Sequence, residues 1–480
     1  MKRNTILLTT LLLLTFSAVA ASRPNILFIA ADDLRNDLGC YGNTEVISPN
    51  IDRLAQSGVL FERAYCQQAL CNPSRSSLLS GRYPDTLHQW DLDKHFRDEL
   101  PDVVTLPQYF KQHGYFTQNV GKIFHNWRTA IEGDPVAWSV PAQMHFLNHH
   151  HDKPMVTGEL PPNTATTYRC ECRDVPDNAY YDGRVTDLAL DAMRDCAANR
   201  QPFFLAVGFW KPHTPYNAPK RYWDMYDRTK ISLPVNPEWP KDAPRIAWHD
   251  SRERQYNDDQ VRELRHGYYA VISYMDAMIG RLLDELERLG LKDNTVIVFW
   301  SDHGFHLGEH TLFAKTSNFE LDARVPMIIA APGLSGGRRT RSLAALLDIY
   351  PTLAAMAKLP PPAGVEGKSL VPVLQNTLAE VHDGVLTQHP RPAYYTDAPQ
   401  TMGYSLRTDH FRYTEWRDWN SGTVTARELY DHRRDALETV NLAGNPEYAP
   451  DVESCAALLS GYDLVAGKSG RMGKPAGTAQ

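Results

Sequence analysis

Beyond residue 20 the 480-residue chain has no apolar run long enough to cross a bilayer, so no stable membrane insertion is expected. It has no excess of basic residues either. Lys and Arg number 50 against 57 Asp and Glu, a net charge of −7, which argues against a nucleic-acid-binding face. An anionic substrate would therefore need a local basic pocket. No internal repeat is present, which excludes a solenoid or propeller. Cysteine is sparse: seven in all, and the one close pair, Cys170-Glu171-Cys172, has no second paired element to complete a zinc site.

What is present starts at the N-terminus. Lys2 and Arg3 precede an apolar stretch over residues 6–20 that ends Ala18-Val19-Ala20. This reads as a signal peptide cut near Ala20, and so as a secreted or periplasmic protein. Cleavage takes the formal charge from −7 to −9. Export permits disulfides, but spacing alone assigns no pairing.

Apolar runs over residues 24–31, 115–120, 202–210, 294–300 and 325–330 read as buried strands. Helical spacing covers 50–58, 106–114, 181–199, 266–289 and 343–357. Strand, polar loop and helix alternate, which predicts an α/β fold with a mainly parallel sheet. The character changes after Leu359-Pro360-Pro361-Pro362, where short strand-like pieces at 393–395, 403–407 and 411–415 precede a final helix over 451–462. The expected organisation is a catalytic domain over 21–358, an α+β subdomain with an antiparallel sheet over 359–466, and a disordered tail over 467–480.

Chemistry-bearing residues stand where the strands end, and open α/β sheets place their sites there. Asp32-Asp33 closes the first run and Ser301-Asp302-His303-Gly304 follows a later one. Adjacent carboxylates need a counter-charge, and a hard divalent cation fits; the alternative is a helix cap or a solvated turn. Gly121-Lys122-Ile123-Phe124-His125 would present Lys122 and His125 together in a tight turn. Lys211-Pro212-His213-Thr214-Pro215 holds His213 between two stiffening prolines, as a candidate general acid. Cys71-Asn72-Pro73-Ser74-Arg75 would set Cys71 just ahead of a helix N-terminus, a nucleophile position, with Arg75 able to fork onto a tetrahedral oxyanion. A buried structural Cys is the alternative there. Two long excursions interrupt the pattern: 130–173, rich in Pro, His and Asn, whose His149-His150-His151 reads as a solvated loop with metal binding as the alternative, and 216–255, rich in Pro and Trp. Trp127, Trp138, Trp210 and Trp223 are either sugar-stacking groups or core aromatics.

The run Cys71-x-Pro73-Ser74-Arg75 with Leu79-Ser80-Gly81-Arg82 resembles the signature of type I sulfatases. Asp32-Asp33, Lys122-x-x-His125, Lys211-Pro212-His213, Asp302-His303 and Ala314-Lys315-x-Ser317-Asn318-Phe319 follow in that family's order. Leu307-Gly308-Glu309-His310 and Ser273-Tyr274-Met275-Asp276 are similar to the iduronate-2-sulfatase branch. The resemblance implies an alkaline-phosphatase-like fold and an exported sulfuric-ester hydrolase acting on a sulfated carbohydrate, with a 2-O-sulfated uronic acid first. It implies that a separate formylglycine-generating or sulfatase-maturating enzyme converts Cys71 to Cα-formylglycine, whose hydrated aldehyde attacks sulfur. It implies one Ca²⁺ held by Asp32, Asp33, Asp302, His303 and modified Cys71. Arg75, Lys122 and Lys315 would neutralise the sulfate, His125 would hold and deprotonate the hydrated aldehyde, and His213 would face the leaving oxygen. A phosphomonoester or phosphodiester hydrolase of the same superfamily, and a silent carbohydrate-binding relative, are the rival readings.

Overall fold

The computed structural model describes residues 23–125, 129–145, 153–167, 169–199, 201–249, 256–395 and 398–468. The expected signal peptide, Trp127, His149–His151 and the tail from residue 469 lie outside them. Its centre is Asn25–Asp32, a strand in which every residue is buried. The side chains alternate. Leu27, Ile29 and Ala31 enter one core and Ile26, Phe28 and Ala30 another, as the period of two requires. Each of the Leu, Ile and Phe side chains contributes roughly 1.5–3 kcal/mol of burial free energy, and only a strand covered on both faces can use both sets.

The cover is helical. Pro49–Ser57, Tyr181–Asn199 and Asp258–Arg288 lie on the Leu27 face. Cys71–Ser80, Leu106–Gln112 and Ile349–Met356 lie on the Phe28 face. The large sheet runs Arg338–Thr340, Val59–Tyr65, Arg324–Ala330, Thr295–Ser301, Asn25–Asp32, Phe203–Pro212, Phe116–Gly121, with Ala344–Ala345 also on Val59–Tyr65. All these pairings are parallel except the two made by Arg324–Ala330. The other long strands therefore end at one edge of the sheet. A second sheet, Gly384–Arg391, Thr401–Thr408, Phe411–Asp418 and Val424–Asp431, is antiparallel in sequence order. Helix Ala449–Leu459 covers it through Cys455 and Leu459. The α/β class with a mainly parallel sheet and a C-terminal antiparallel sheet is thus the observed architecture. Among the described residues no helix is long and apolar enough to cross a membrane.

Four expectations change. The long helix begins at Asp258 rather than 266, because Asn257 and Gln260 form a capping box. Residues 343–357 divide into the bridge Ala344–Ala345, a 3-10 turn and the helix Ile349–Met356. Residues 393 and 394 are bends and 395 is irregular, and the strand is Gly384–Arg391 before them. Its Pro390 is tolerated because the strand lies at the sheet edge. Leu359, Leu370, Val373 and Leu374 pack in the core of the large sheet, while the small sheet has a separate core drawn from Leu386 onward with Trp90 inserted.

Candidate active site

Four segments leave the same edge of the large sheet and converge. Asp32 ends the central strand and Asp33 follows with φ +65°, a left-handed value that turns the chain sharply. Tyr268, buried in the long helix, fixes that turn: its hydroxyl donates to the Asp33 carbonyl at 2.7 Å and accepts from Arg35 N–H at 3.0 Å. Asp302 and His303 follow the neighbouring strand. Asp302 Oδ1 accepts from the Asp33 N–H at 3.2 Å and the His303 N–H at 3.0 Å. Lys122 leaves the edge strand beside Gly208, and its amide donates to the Gly208 carbonyl. His213 leaves Phe203–Pro212, whose end is fixed by the buried Asp182 carboxylate accepting from Trp210 and Lys211 N–H at 2.8 and 3.0 Å.

Cys71 opens the helix Cys71–Ser80 rather than preceding it. Its Sγ lies 3.5 Å from Asp32 Oδ1, 3.3 Å from His303 Nε2 and 3.6 Å from Lys315 Nζ. Lys315 arrives from the loop after Phe313–Ala314 and reaches Asp33 Oδ1 at 2.5 Å. Lys122 pairs with Asp32 and stands 4.3 Å above the Trp210 ring. His213 Nε2 is 3.9 Å from Asp33 Oδ2 while its Nδ1 meets the Thr214 carbonyl at 2.7 Å. Nine of the ten sequence-predicted residues make contacts here, and the buried His125 feels the charges of Lys122, Asp32, Arg75 and Lys315. Trp138, Trp210 and Trp223 are buried and belong to the cores.

Arg75 does not fork outward. It is wholly buried. Nε donates to Asp302 Oδ2 at 2.8 Å, Nη1 to the carbonyls of Lys122 and Ile123, and Nη2 to the carbonyl of Ala31, 3.4 Å from Asp32 Oδ2. Its donors tie three strand ends together, and no donor group is left without a protein acceptor. Ser74 completes the tie by donating to the Asp302 carbonyl at 2.5 Å. Sequence reading assigned no role in the site to Ser74, Asp182 or Tyr268, and it offered Trp210 as a sugar-stacking or core ring rather than as the face under Lys122. The signal available was a polar group on an otherwise apolar face, as with Asp182 at the start of its helix.

The electrostatics follow from burying three carboxylates with three cations. Burial works against ionised Asp32, but Lys122 and Arg75 hold it well below the usual carboxylate range. Burial pushes Asp33 up to about 7 against the pull of Lys315 and His303. Burial and Asp32 raise the Cys71 thiol, and Lys122 with Lys315 more than offset this and lower it. Burial, with Lys122, holds the His125 ring well below its ordinary value; burial, with Lys315, does the same for His213. Both rings are neutral at neutral pH. His125 Nδ1 is buried with no partner among the described residues, so it can still take a proton.

The donor set fits a hard cation. One ligand atom each from Asp32, Asp33, Cys71 and His213 lie within 4.8 Å of one another, and so do those of Asp32, Cys71, Asp302 and His303. Each group offers two carboxylates, the ligands that calcium and magnesium favour; the thiol and the imidazoles are the poorer partners.

The sulfatase family model matches residues 24–359, and the model described as N-sulphoglucosamine sulphohydrolase, C-terminal, matches residues 308–460. Iduronate 2-sulfatase of Mus musculus is 35% identical over 88% of this chain and 91% of its own length. A sulfatase of Formosa agariphila is 31% identical, over 91% of this chain and 86% of its own. The crystal structure of a phosphonate monoester hydrolase of Agrobacterium radiobacter superposes with a TM-score of 0.76 over 92% of this chain and 95% of that one, at 22% identity, which is a likeness of fold. The fold is alkaline-phosphatase-like. Similarity that runs through both sheets, and that at sequence level points to sulfate-ester cleavage, settles the choice left open by the motifs: the chain belongs to the sulfatase family and is a sulfatase.

Proposed function

We propose that this enzyme is exported, and that it removes sulfate from a sulfated carbohydrate, a 2-O-sulfated uronic acid in an oligosaccharide or polysaccharide. The observation that carries the chemistry is the setting of Cys71. It sits at a helix N-terminus, within 3.3–3.6 Å of Asp32, His303 and Lys315. The uronic acid rests on the 35% identity to iduronate 2-sulfatase over most of both chains.

Converted to formylglycine by a maturating enzyme, residue 71 would supply a hydrated aldehyde as nucleophile in place of a thiolate. Ca²⁺ among Asp32, Asp33, Asp302 and His303 would supply fixed positive charge for the sulfate oxygens. The chain's own residues do the rest. Lys315 and Lys122, ion-paired with Asp33 and Asp32, are the ammonium groups of the site, and they offset charge on the sulfate as the sulfur–oxygen bond lengthens. Lys122 is kept from swinging away by the Trp210 face. His213 faces the leaving oxygen. Its ring gains a proton when the negative charge of the substrate offsets Lys315, and then donates it. His125, neutral and with Nδ1 open, would then take the proton of the second hydroxyl of hydrated residue 71, so that the aldehyde re-forms as the bond to sulfate breaks and sulfate leaves. Arg75 keeps Asp302, Asp32 and the Lys122 backbone in register.

The test is peptide mass spectrometry on tryptic residues 64–75, followed by turnover of a 2-O-sulfated uronide and a 6-O-sulfated hexosamine with the same protein. Formylglycine at position 71 with faster release from the uronide is expected. Active protein carrying only unmodified Cys71 would sink the aldehyde chemistry. Modified protein that prefers the hexosamine would sink the uronide assignment alone.

A further inference from the structure

Lys315 sits in an unusual turn. The residues on both sides have left-handed backbones, Ala314 at φ +80° and Thr316 at φ +91°, and neither is glycine. For a β-branched residue this is a true outlier, and it persists only where the surroundings impose it. Thr316 does not impose it on itself: its buried hydroxyl has no hydrogen-bond partner among the described residues. The restraints come from three directions. Phe313–Ala314 pairs with His306–Leu307 as a two-residue antiparallel ladder. Asp322, fully buried, accepts from Ser317 N–H at 2.9 Å and Ser317 Oγ–H at 2.6 Å, and its other oxygen meets His306 Nδ1 at 2.7 Å. Arg391, from the edge strand of the small sheet, donates from Nη1 to the Thr316 carbonyl at 3.0 Å. Its Nε and Nη2 hold the carbonyls of Ile246 and Ala247 at 2.9 and 2.8 Å, and its guanidinium lies 4.8 Å from the Trp416 ring centre.

We propose that Arg391 and Asp322 are positioning residues for Lys315. They clamp the strained turn over 314–317, so that the ammonium points between Asp33 and residue 71 rather than to the exterior. The small sheet is then a working part of the site, since one of the two clamps belongs to it. The inference rests on reading Lys315 as a group that faces the reacting sulfate, but the strain and its restraints stand without that reading.

Arg391→Gln and Asp322→Asn remove one clamp each, Arg391→Lys keeps a donor at the same place, and Thr316→Gly in the Arg391→Gln background removes the strain. Glycine takes this φ at no steric cost. With a sulfate ester, kcat of Arg391→Gln is expected to fall by about 100-fold with KM and formylglycine occupancy unchanged, as for a reacting group displaced by about 1 Å. Arg391→Lys should retain most of the rate, and Thr316→Gly should recover about 10-fold of the loss. Hydrogen exchange over residues 313–319 supplies an activity-independent readout, with faster exchange expected in Arg391→Gln and Asp322→Asn than in the parent. Parental exchange there would overturn the clamp. So would a loss of kcat that follows formylglycine occupancy, or that Thr316→Gly leaves untouched. Faster exchange with parental kcat would keep the clamp and remove Lys315 from the reaction. Should Arg391→Gln not fold, Asp322→Asn carries the same exchange and kcat comparison.

Discussion

At the scale of single residues, Arg75 differs most from its sequence expectation. An arginine four residues after a nucleophile at a helix start suggests an anion fork. The folded chain instead buries it completely, facing Asp302, Asp32 and three backbone carbonyls. Burial of the guanidinium opposes its charge, and the two carboxylates more than restore it. Removing one partner of such a group leaves charge buried and unpaired, which costs about 3–5 kcal/mol. Arg75→Ala should lose that much in the denaturant-unfolding free energy of unmodified protein. Cys71→Ser, a near-isosteric change that leaves every cation of the site in place, should lose only about 1 kcal/mol. Equal stability of the two variants would return Arg75 to the substrate-facing role.

At the scale of elements, the site is only as well placed as the strands that carry it. Gly208 and Gly121 show how close the approach is. A Cβ on Gly208 would fall 1.9 Å from the Lys122 carbonyl oxygen and 2.2 Å from its carbon, both backbone atoms that cannot turn aside. Gly208→Ala must therefore part Phe203–Pro212 from Phe116–Gly121 and carry Lys122 away from Asp32. The expected result is a loss of about 1–3 kcal/mol from overpacking and a fall in turnover on the order of 100-fold. Gly444→Ala, where a Cβ meets nothing within 4 Å, is the control and should match the parent in both measurements. The same strands explain what was legible. An apolar run closing on Asp32-Asp33, and another closing on Asp302-His303, are strong signals because a strand covered on both faces has nowhere to put a carboxylate except its end. Gly384–Arg391 was not legible. It carries Gln388, His389 and Pro390, all buried where a polar run predicts a surface loop, and Gln388 finds its partners far away in sequence, donating from its side chain to Asp85 and from its backbone to Gln67. The start of the long helix was missed for another reason. Asp258, Asp259 and Gln260 carry no apolar periodicity, and the cap at Asn257 is the only local sign of the helix. The strained turn around Lys315 leaves no trace in a pattern of residue types, because one of its restraints, Arg391, stands 75 positions away.

At the scale of the whole molecule, the two sheets are joined by buried polar groups as well as by apolar ones. Glu320 of the large unit meets Arg407 and Arg412 of the small sheet, and Glu438 closes on Arg412. There each charge has an opposite. Among the described residues Glu428 has none in contact. Its carboxyl is buried against Trp416 Nε1–H and Tyr430 O–H, both at 2.7 Å. Burial raises it to about 7, with Glu438 adding to the rise and Arg391 and the two hydrogen bonds opposing it. The unfolded chain releases this proton near the ordinary glutamate value of about 4.3. Between those values the folded state binds more protons than the unfolded one, so this group's contribution is full below about pH 4 and is lost as pH rises through 7. Glu428→Gln removes the titration. It gives up one acceptor at every pH, a constant offset, so the informative quantity is the change with pH. The unfolding free energy of the parent relative to Glu428→Gln should be most favourable at pH 5 and decline by up to about 3 kcal/mol by pH 8. Parallel stability curves from pH 5 to 8 would mean that Glu428 is ionised throughout and that the seam holds a full charge unpaired. A declining difference would make the join between the sheets tighter in acid than at neutral pH, and with it the anchor that Arg391 sets in the same seam.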